Sequence, residues 1–303
     1  MTQPQQVRSP CVVVPGNYDG VHRGHRALLR AAREAGTEAL PVVALTFDPH
    51  PARVLAPAQA PAQLTTLTRR IELLNGCGAD EVRVQRFDRA FASLEPERFA
   101  RQLLRDGLKA RLVVVGPDFR FGAGRAGTAE VLRGLGDRLG FSVLPVPSIR
   151  AHGLTVSSSA IRDAIARSDL ALATRMLGRH HDVTGTVVEG NKRGRDLGFP
   201  TANVVPEPVL LPPDGVYAVL AQRLSPGPGP VLPAVANLGL RPTFKAGRSL
   251  EVHLLDFDQD LYGCPLRVAF VEYLRAEQRF DGVQSLRAQI RKDVLSARQV
   301  LGT

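Results

Sequence analysis

Tryptophan is absent from the 303 residues, and lysine occurs four times, cysteine three times and methionine twice. With no tryptophan and only four tyrosines, the chain has little on which to stack bases, which argues against nucleic-acid binding despite a formal charge of +10. The charge is also dispersed, since no run of basic residues exceeds two. Residues 1–180 hold 25 Lys and Arg against 16 Asp and Glu, whereas residues 181–303 hold 14 against 13. Small polyanionic substrates explain such an excess as well as nucleic acid does. Three cysteines, Cys11, Cys77 and Cys264, are widely spaced and odd in number. That argues against a disulfide framework or a structural zinc site and fits a reducing cytoplasm. No stretch of 18 apolar residues occurs, and MTQPQQVRSP lacks an apolar signal core. A soluble cytoplasmic chain that neither enters a membrane nor is secreted is expected. Nothing in the sequence argues for an oligomer.

What is present is an ordinary globular composition, 44% hydrophobic and 22% charged, on a length that suits two domains. The first half alternates two signals. Apolar strand runs at 11–15, 41–47, 82–87, 112–115 and 143–146 are separated by helical patterns over 27–32, 69–75, 96–106 and 129–139. Alternation with fully apolar strands predicts a parallel sheet covered on both faces, whose ligands bind beyond the carboxyl ends of the strands. After about residue 180 the texture changes to short β-rich runs at 183–188, 216–221, 234–238, 250–257 and 266–274, divided by Gly, Pro and Asp. These predict an antiparallel barrel or sandwich, followed by an amphipathic helix over 283–300. The expected domains are 1–180 and 181–303.

The stretch PGNYDGVHRGH at 15–25 directly follows the first strand run. A strand that turns through Gly16 and Gly20 into a helix aims unpaired backbone N–H groups at one point, which makes an anion site. His22 and His25, three apart, share a face of the first turn and can donate to phosphate oxygens, while Gly24 clears an approach between them. The turn spells neither a GxxxxGK[ST] loop nor GxGxxG, so P-loop and dinucleotide readings of it fail.

GNYDGVHRGH resembles the G-x-F-D-x-x-H-x-G-H signature of the nucleotidyltransferases, a Rossmann-like α/β fold in which the histidines cradle ATP phosphates. Ser157-Ser158-Ser159-Ala160-Ile161-Arg162 resembles the second signature of that superfamily, S-S-T-x-I-R. The resemblance makes His22, His25, Ser158, Ser159 and Arg162 the residues of adenylyl transfer, with Gly16, Asn17, Tyr18, Asp19 and Gly24 around the ATP. Phe47-Asp48-Pro49-His50-Pro51 and Val115-Gly116-Pro117-Asp118-Phe119-Arg120-Phe121-Gly122 are similar to stretches of the bacterial FAD synthetases. They imply a flavin side at Phe47, Asp48, Pro49 and His50, and place Asp118 near the adenosine.

In the second half, GNKRGRDLGFPTAN at 190–203 is rich in glycine and ends on Thr201 and Asn203, two apart on a strand and so on one face. A hydroxyl and an amide oxygen on one face are reasonable hard ligands for Mg²⁺. The string resembles the G-R-x-L-G-F-P-T-A-N signature of the riboflavin kinases, an antiparallel β-barrel family. That resemblance implies ATP contacts at Gly190, Lys192, Gly194, Gly198 and Pro200 and a Mg²⁺ site at Thr201 and Asn203. Alternation in 250–257 sets Glu251 and His253 opposite Leu250, Val252 and Leu254. By resemblance Glu251 is the kinase base, and Arg275 and Phe280 border the flavin. Both motif sets together resemble the bifunctional prokaryotic riboflavin kinase/FAD synthetases. The expected partners are riboflavin, FMN, FAD, ATP, ADP and pyrophosphate, with Mg²⁺ and without nucleic acid.

Overall fold

A computed structural model describes residues 9–36, 40–151, 153–190, 194, 197–240 and 248–303. The backbone divides into two compact units, one ending at Ser158 and the other beginning at Ser159. In the first unit, β1 (Cys11–Pro15), β2 (Val42–Asp48), β3 (Glu81–Arg86), β4 (Ala110–Val115) and β5 (Ser142–Pro145) form a parallel sheet in the order β3-β2-β1-β4-β5. Helices α1 (Arg23–Ala35), α2 (Pro51–Leu55), α3 (Leu67–Asn75), α4 (Arg89–Ala92), α5 (Pro96–Arg98) and α6 (Ala129–Leu139) are interleaved with the strands, as is a further helical stretch, Phe99–Gly107. The strand runs are apolar throughout because both faces are covered. Val13, Val43, Leu45 and Val113 join one core, and Val12, Val14, Ala44 and Val114 join the other. The direction of winding reverses between β1 and β4, so the turn after β1 lies at the switch point of the sheet.

A two-stranded hairpin, β6 (Arg150–Ala151) and β7 (Leu154–Thr155), leads into α7 (Ser158–Ala166) and α8 (Leu170–Leu177). The second unit then closes an antiparallel barrel from β8 (His181–Val188), β9 (Ala202–Pro206), β10 (Gly215–Arg223), β11 (Val231–Leu240), β12 (Arg248–Leu254) and β13 (Pro265–Arg275). Strand patterning alone left barrel and sandwich open, and the resemblance implied a barrel; the β10–β13 pairing closes the ring, as that resemblance implied. β12 stops at Leu254 rather than running to Phe257, because Asp256 takes a left-handed φ of 54° that no ladder accepts. The chain ends in α9 (Val283–Leu301). No described helix is long and apolar enough to cross a membrane.

Six phenylalanines join the loops at the carboxyl ends of β2 and β4. Phe47, Phe87, Phe91, Phe99, Phe121 and Phe119 touch in succession with ring centres 5.1–6.0 Å apart. Gly122–Gly127 spells GxGxxG, but the string begins seven residues beyond the last residue of β4 and contains a short helical turn, Ala123–Arg125, instead of opening a helix directly from a strand. Its last glycine serves the aromatic chain: a Cβ on Gly127 would lie 2.5 Å from the Phe121 ring. Gly127→Ala should therefore lower unfolding stability by about 1–3 kcal/mol, read as a lower urea midpoint, whereas Gly134→Ala, which has open space, should not.

Candidate active sites

The turn after β1 is built from within. Tyr18 is fully buried with φ 53°, its hydroxyl donates to the Val14 carbonyl at 2.6 Å, and its ring lies against Gly16 and His25. A phenylalanine would leave that carbonyl without this partner, so the tyrosine hydroxyl has a definite use. Asp19 is also buried and accepts from the backbone N–H groups of Leu64 and Thr65, which pins the 64–65 segment to the turn. Both residues were expected as ATP contacts; in the structure they hold the loop, while Asn17 stands exposed on it. Ser158 Oγ donates to the Asp19 carbonyl at 2.8 Å, which brings the start of the second signature to the first. Ser159 is exposed and Arg162 partly buried on α7.

His22 and His25 form a reciprocal cap on α1. The His25 N–H donates to His22 Nδ1 at 3.4 Å, and the His22 N–H donates to His25 Nδ1 at 3.3 Å. An imidazole that accepts at Nδ1 and is neutral carries its proton on Nε2, which is where this cap places the proton of each ring. The rings stack with centres 3.6 Å apart, and a Cβ on Gly24 would press on His22 at 3.1 Å. Burial first, then His22 and Arg70, hold His25 well below the ordinary imidazole value of 6.5. Arg70 is a residue the sequence reading passed over, because nothing distinguishes it from its neighbour Arg69. It is fully buried beneath the turn; Nη1 donates to Thr46 Oγ1 and the Phe47 carbonyl, and Nε and Nη2 have no hydrogen-bond partner. Thr46 Oγ1 in turn donates to the Asn17 carbonyl.

On the expected flavin side, Phe47 is buried in the aromatic chain. Asp48 and His50 are partly exposed and Pro49 exposed; His50 caps α2 through Nδ1. Asp118 is exposed at the end of the β4 loop.

In the second unit the site lies on the outer face of the barrel. Asn203 pairs with Glu251 across β9 and β12, and Glu251 with Asn237 across β12 and β11, so three polar side chains form one row. Asn203 is buried, and its Oδ1 has no hydrogen-bond partner. Gly190 makes room for that amide, and a Cβ on Gly194 would overlap the Phe199 carbonyl and crowd Thr201 Oγ1. Gly198 takes a left-handed φ of 83°, and exposed Pro200 accepts through its carbonyl from His253 Nδ1 at 2.8 Å. Lys192 lies outside the described residues. Two cavities meet at Thr201. One of about 660 Å³ is lined by Val187, Pro200, Leu254, Phe257, Asp260 and Tyr262. The other, of about 350 Å³, is lined by Phe199, Asn237, Glu251, Arg275, Phe280 and Ile290. Asn237 was overlooked as a site residue because only the strand register shows it beside Glu251.

The comparisons agree with this division. A sequence model of FAD synthetase matches residues 4–160, and one of riboflavin kinase matches residues 177–301. The bifunctional riboflavin kinase/FMN adenylyltransferase of Escherichia coli (strain K12) is 44% identical over 300 residues, 98% of this chain and 95% of that protein. Its counterpart in Bacillus subtilis (strain 168) is 36% identical over 297 residues, 95% of this chain and 92% of that protein. A solved structure described as a macrolide-efflux protein from Streptococcus pneumoniae superposes with a TM-score of 0.85 at 32% identity, over 96% of this chain and 95% of that one.

The histidine cap carries a pH dependence with a fixed sign. His25 is neutral in the fold and titrates near 6.5 when unfolded, so the stability it contributes is complete above about pH 6.5 and is lost as pH falls below it toward the folded value. Urea midpoints of the protein should decline below about pH 6.5, and His25→Gln, which cannot be protonated, should show a shallower decline. An acid limb unchanged in that variant would refute the assignment.

Proposed function

The chain belongs to the family of bifunctional riboflavin kinases/FMN adenylyltransferases, and from that premise we propose how its residues share the two reactions. The second half phosphorylates riboflavin to FMN with ATP, and the first half adenylylates FMN to FAD with release of pyrophosphate. We place the functional division at 1–180 and 181–303, because the helix opening with Ser158 carries the second signature of the first reaction.

In the kinase half, the 660 Å³ cavity takes ATP and the 350 Å³ cavity takes riboflavin, whose 5′-hydroxyl reaches Glu251. Glu251 accepts the hydroxyl proton as the oxygen attacks the γ-phosphorus, and the bond to the β-γ bridging oxygen breaks to leave ADP. The observation that carries this reading is the register row Asn203–Glu251–Asn237, of which Glu251 and Asn237 line the 350 Å³ cavity that shares Thr201 with the larger one. The unsatisfied Asn203 Oδ1 and the neighbouring Thr201 hydroxyl fit Mg²⁺, which supplies charge neutralisation on the phosphates. Gly190, Gly194, Gly198 and Pro200 shape the loop over the ATP phosphates, and Arg275 and Phe280 border the flavin.

In the adenylyl-transfer half, the paired imidazoles of His22 and His25 hold ATP phosphate oxygens. The N-terminus of α1 adds backbone polarity, and Ser158, Ser159 and Arg162 hold the departing pyrophosphate. The FMN phosphate attacks the α-phosphorus from the Asp48–His50 side, with Asn17 and Asp118 near the nucleoside. Three cysteines without disulfides suit the cytoplasm.

Purified protein with riboflavin, ATP and Mg²⁺ should yield FMN and then FAD. Glu251→Gln should lower the FMN-forming kcat by about 10²–10⁴ and leave FMN-to-FAD conversion unchanged by product chromatography. His25→Ala should do the reverse. Loss of both activities in either single variant would overturn the division of roles.

A further inference from the structure

Arg275 ends β13, and its guanidinium meets Asp293 of α9 with two parallel bonds, Nε to Oδ1 at 2.8 Å and Nη2 to Oδ2 at 2.7 Å. Gln289, one turn earlier on α9, donates its Nε2 to the same Oδ1 at 2.9 Å. Asp293 is 5% exposed, so this carboxylate is spent inside the protein and not on solvent. The remaining nitrogen, Nη1, donates to the Ala276 carbonyl at 2.9 Å, and the guanidinium carbon lies 5.9 Å from the centre of the Phe280 ring. Residues 276–282 carry neither helix nor strand. The arm is pinned at its start by Arg275, and farther on the Glu277 carboxylate occupies the space that a Cβ on Gly239 would need.

A planar guanidinium with three nitrogens committed has no freedom to rotate, so the face it offers to Phe280 is fixed as well. Arg275, Phe280 and Asp293 line the same cavity as Glu251. We propose that Asp293 is a positioning residue for the flavin: it orients Arg275, and through Arg275 it sets the Phe280 ring as a wall of the flavin cavity. The inference rests on the assignment of that cavity to riboflavin. Its energetic basis is ordinary. Removing the negative charge leaves a guanidinium half-buried with one good acceptor fewer, and the irregular arm loses its fixed point.

The test is steady-state riboflavin phosphorylation by the full-length protein. Asp293→Asn keeps the shape and removes the charge. Its KM for riboflavin should rise about tenfold or more, with kcat and the KM for ATP within about twofold. FMN adenylylation should be unchanged. In the Phe280→Ala background the same substitution should cost markedly less, because the wall it positions is gone. An unchanged riboflavin KM, an equal rise in the KM for ATP, or additivity with Phe280→Ala would each overturn the inference. If Asp293→Asn does not fold, Gln289→Leu, which removes the supporting bond to the same carboxylate, should raise the riboflavin KM in the same selective way; no rise overturns the inference. Phe280→Ala alone separates the two levels. If it leaves the riboflavin KM unchanged, the cavity assignment itself fails. If it raises that KM while Asp293→Asn does not, only the role of Asp293 fails.

Discussion

Two imidazole nitrogens that accept the first backbone N–H groups of α1 decide what the first half of the chain can do. Helices are commonly capped by a small oxygen side chain whose hydroxyl, where it has one, can still turn its own proton to a near neighbour, as Thr128 at the start of α6 does to Glu130. A histidine cap differs because accepting at Nδ1 forces a neutral ring to carry its proton at Nε2. The reciprocal pairing of His22 and His25 therefore satisfies two backbone N–H groups and fixes the proton of each neutral ring at Nε2. Two imidazolium cations could not stack with centres 3.6 Å apart at so little cost, which agrees with the depressed proton affinity of His25. The surroundings serve this arrangement. Tyr18 props the ring of His25, Gly24 spares His22, and Asp19 and Ser158 tie the turn to two other segments.

The kinase half solves its geometric problem with strand register. In an antiparallel ladder directly opposed residues share a face, so the pairings of Asn203, Glu251 and Asn237 leave no choice about which side they project from. Leu250, Val252, Val204 and Leu238 are consigned to the barrel interior by the same alternation. The glycines around this row also have a packing reason that the motif does not announce. Gly190 and Gly194 are small because Asn203, Phe199 and Thr201 already stand where their side chains would go.

Much of this was legible in the sequence because the relevant signals are local. Apolar runs beginning near Cys11, Val42 and Leu112 became β1, β2 and β4, and the His22–His25 spacing put both rings on one helix turn, as expected. Pairing between distant segments was less accessible. Nothing in the sequence distinguishes Asn237 from other strand asparagines, and only its opposition to Glu251 gives it a place in the site. Arg70 looked like one of many dispersed arginines but is wholly buried, a property set by α3 docking on the sheet. Tyr18, Asp19 and Phe47 have structural tasks in addition to the ones their motifs imply. A motif marks residues that a site requires, without separating those that touch a ligand from those that hold the loop.

The two halves also differ in what they lack, and the chemistry explains it. A riboflavin hydroxyl is a poor nucleophile at neutral pH and needs a base within reach, and a carboxylate on a rigid strand is an economical one. A phosphate monoester is already ionised and needs no proton removed, so a carboxylate base at the first site would only repel both substrates. What that site needs is donors that do not add repulsion or desolvation cost of their own when ATP is absent. Neutral imidazoles, backbone N–H groups and serine hydroxyls meet that need. In the roles proposed above, Glu251 in one half and the histidine pair in the other are two answers to one question, whether the attacking oxygen arrives with its proton.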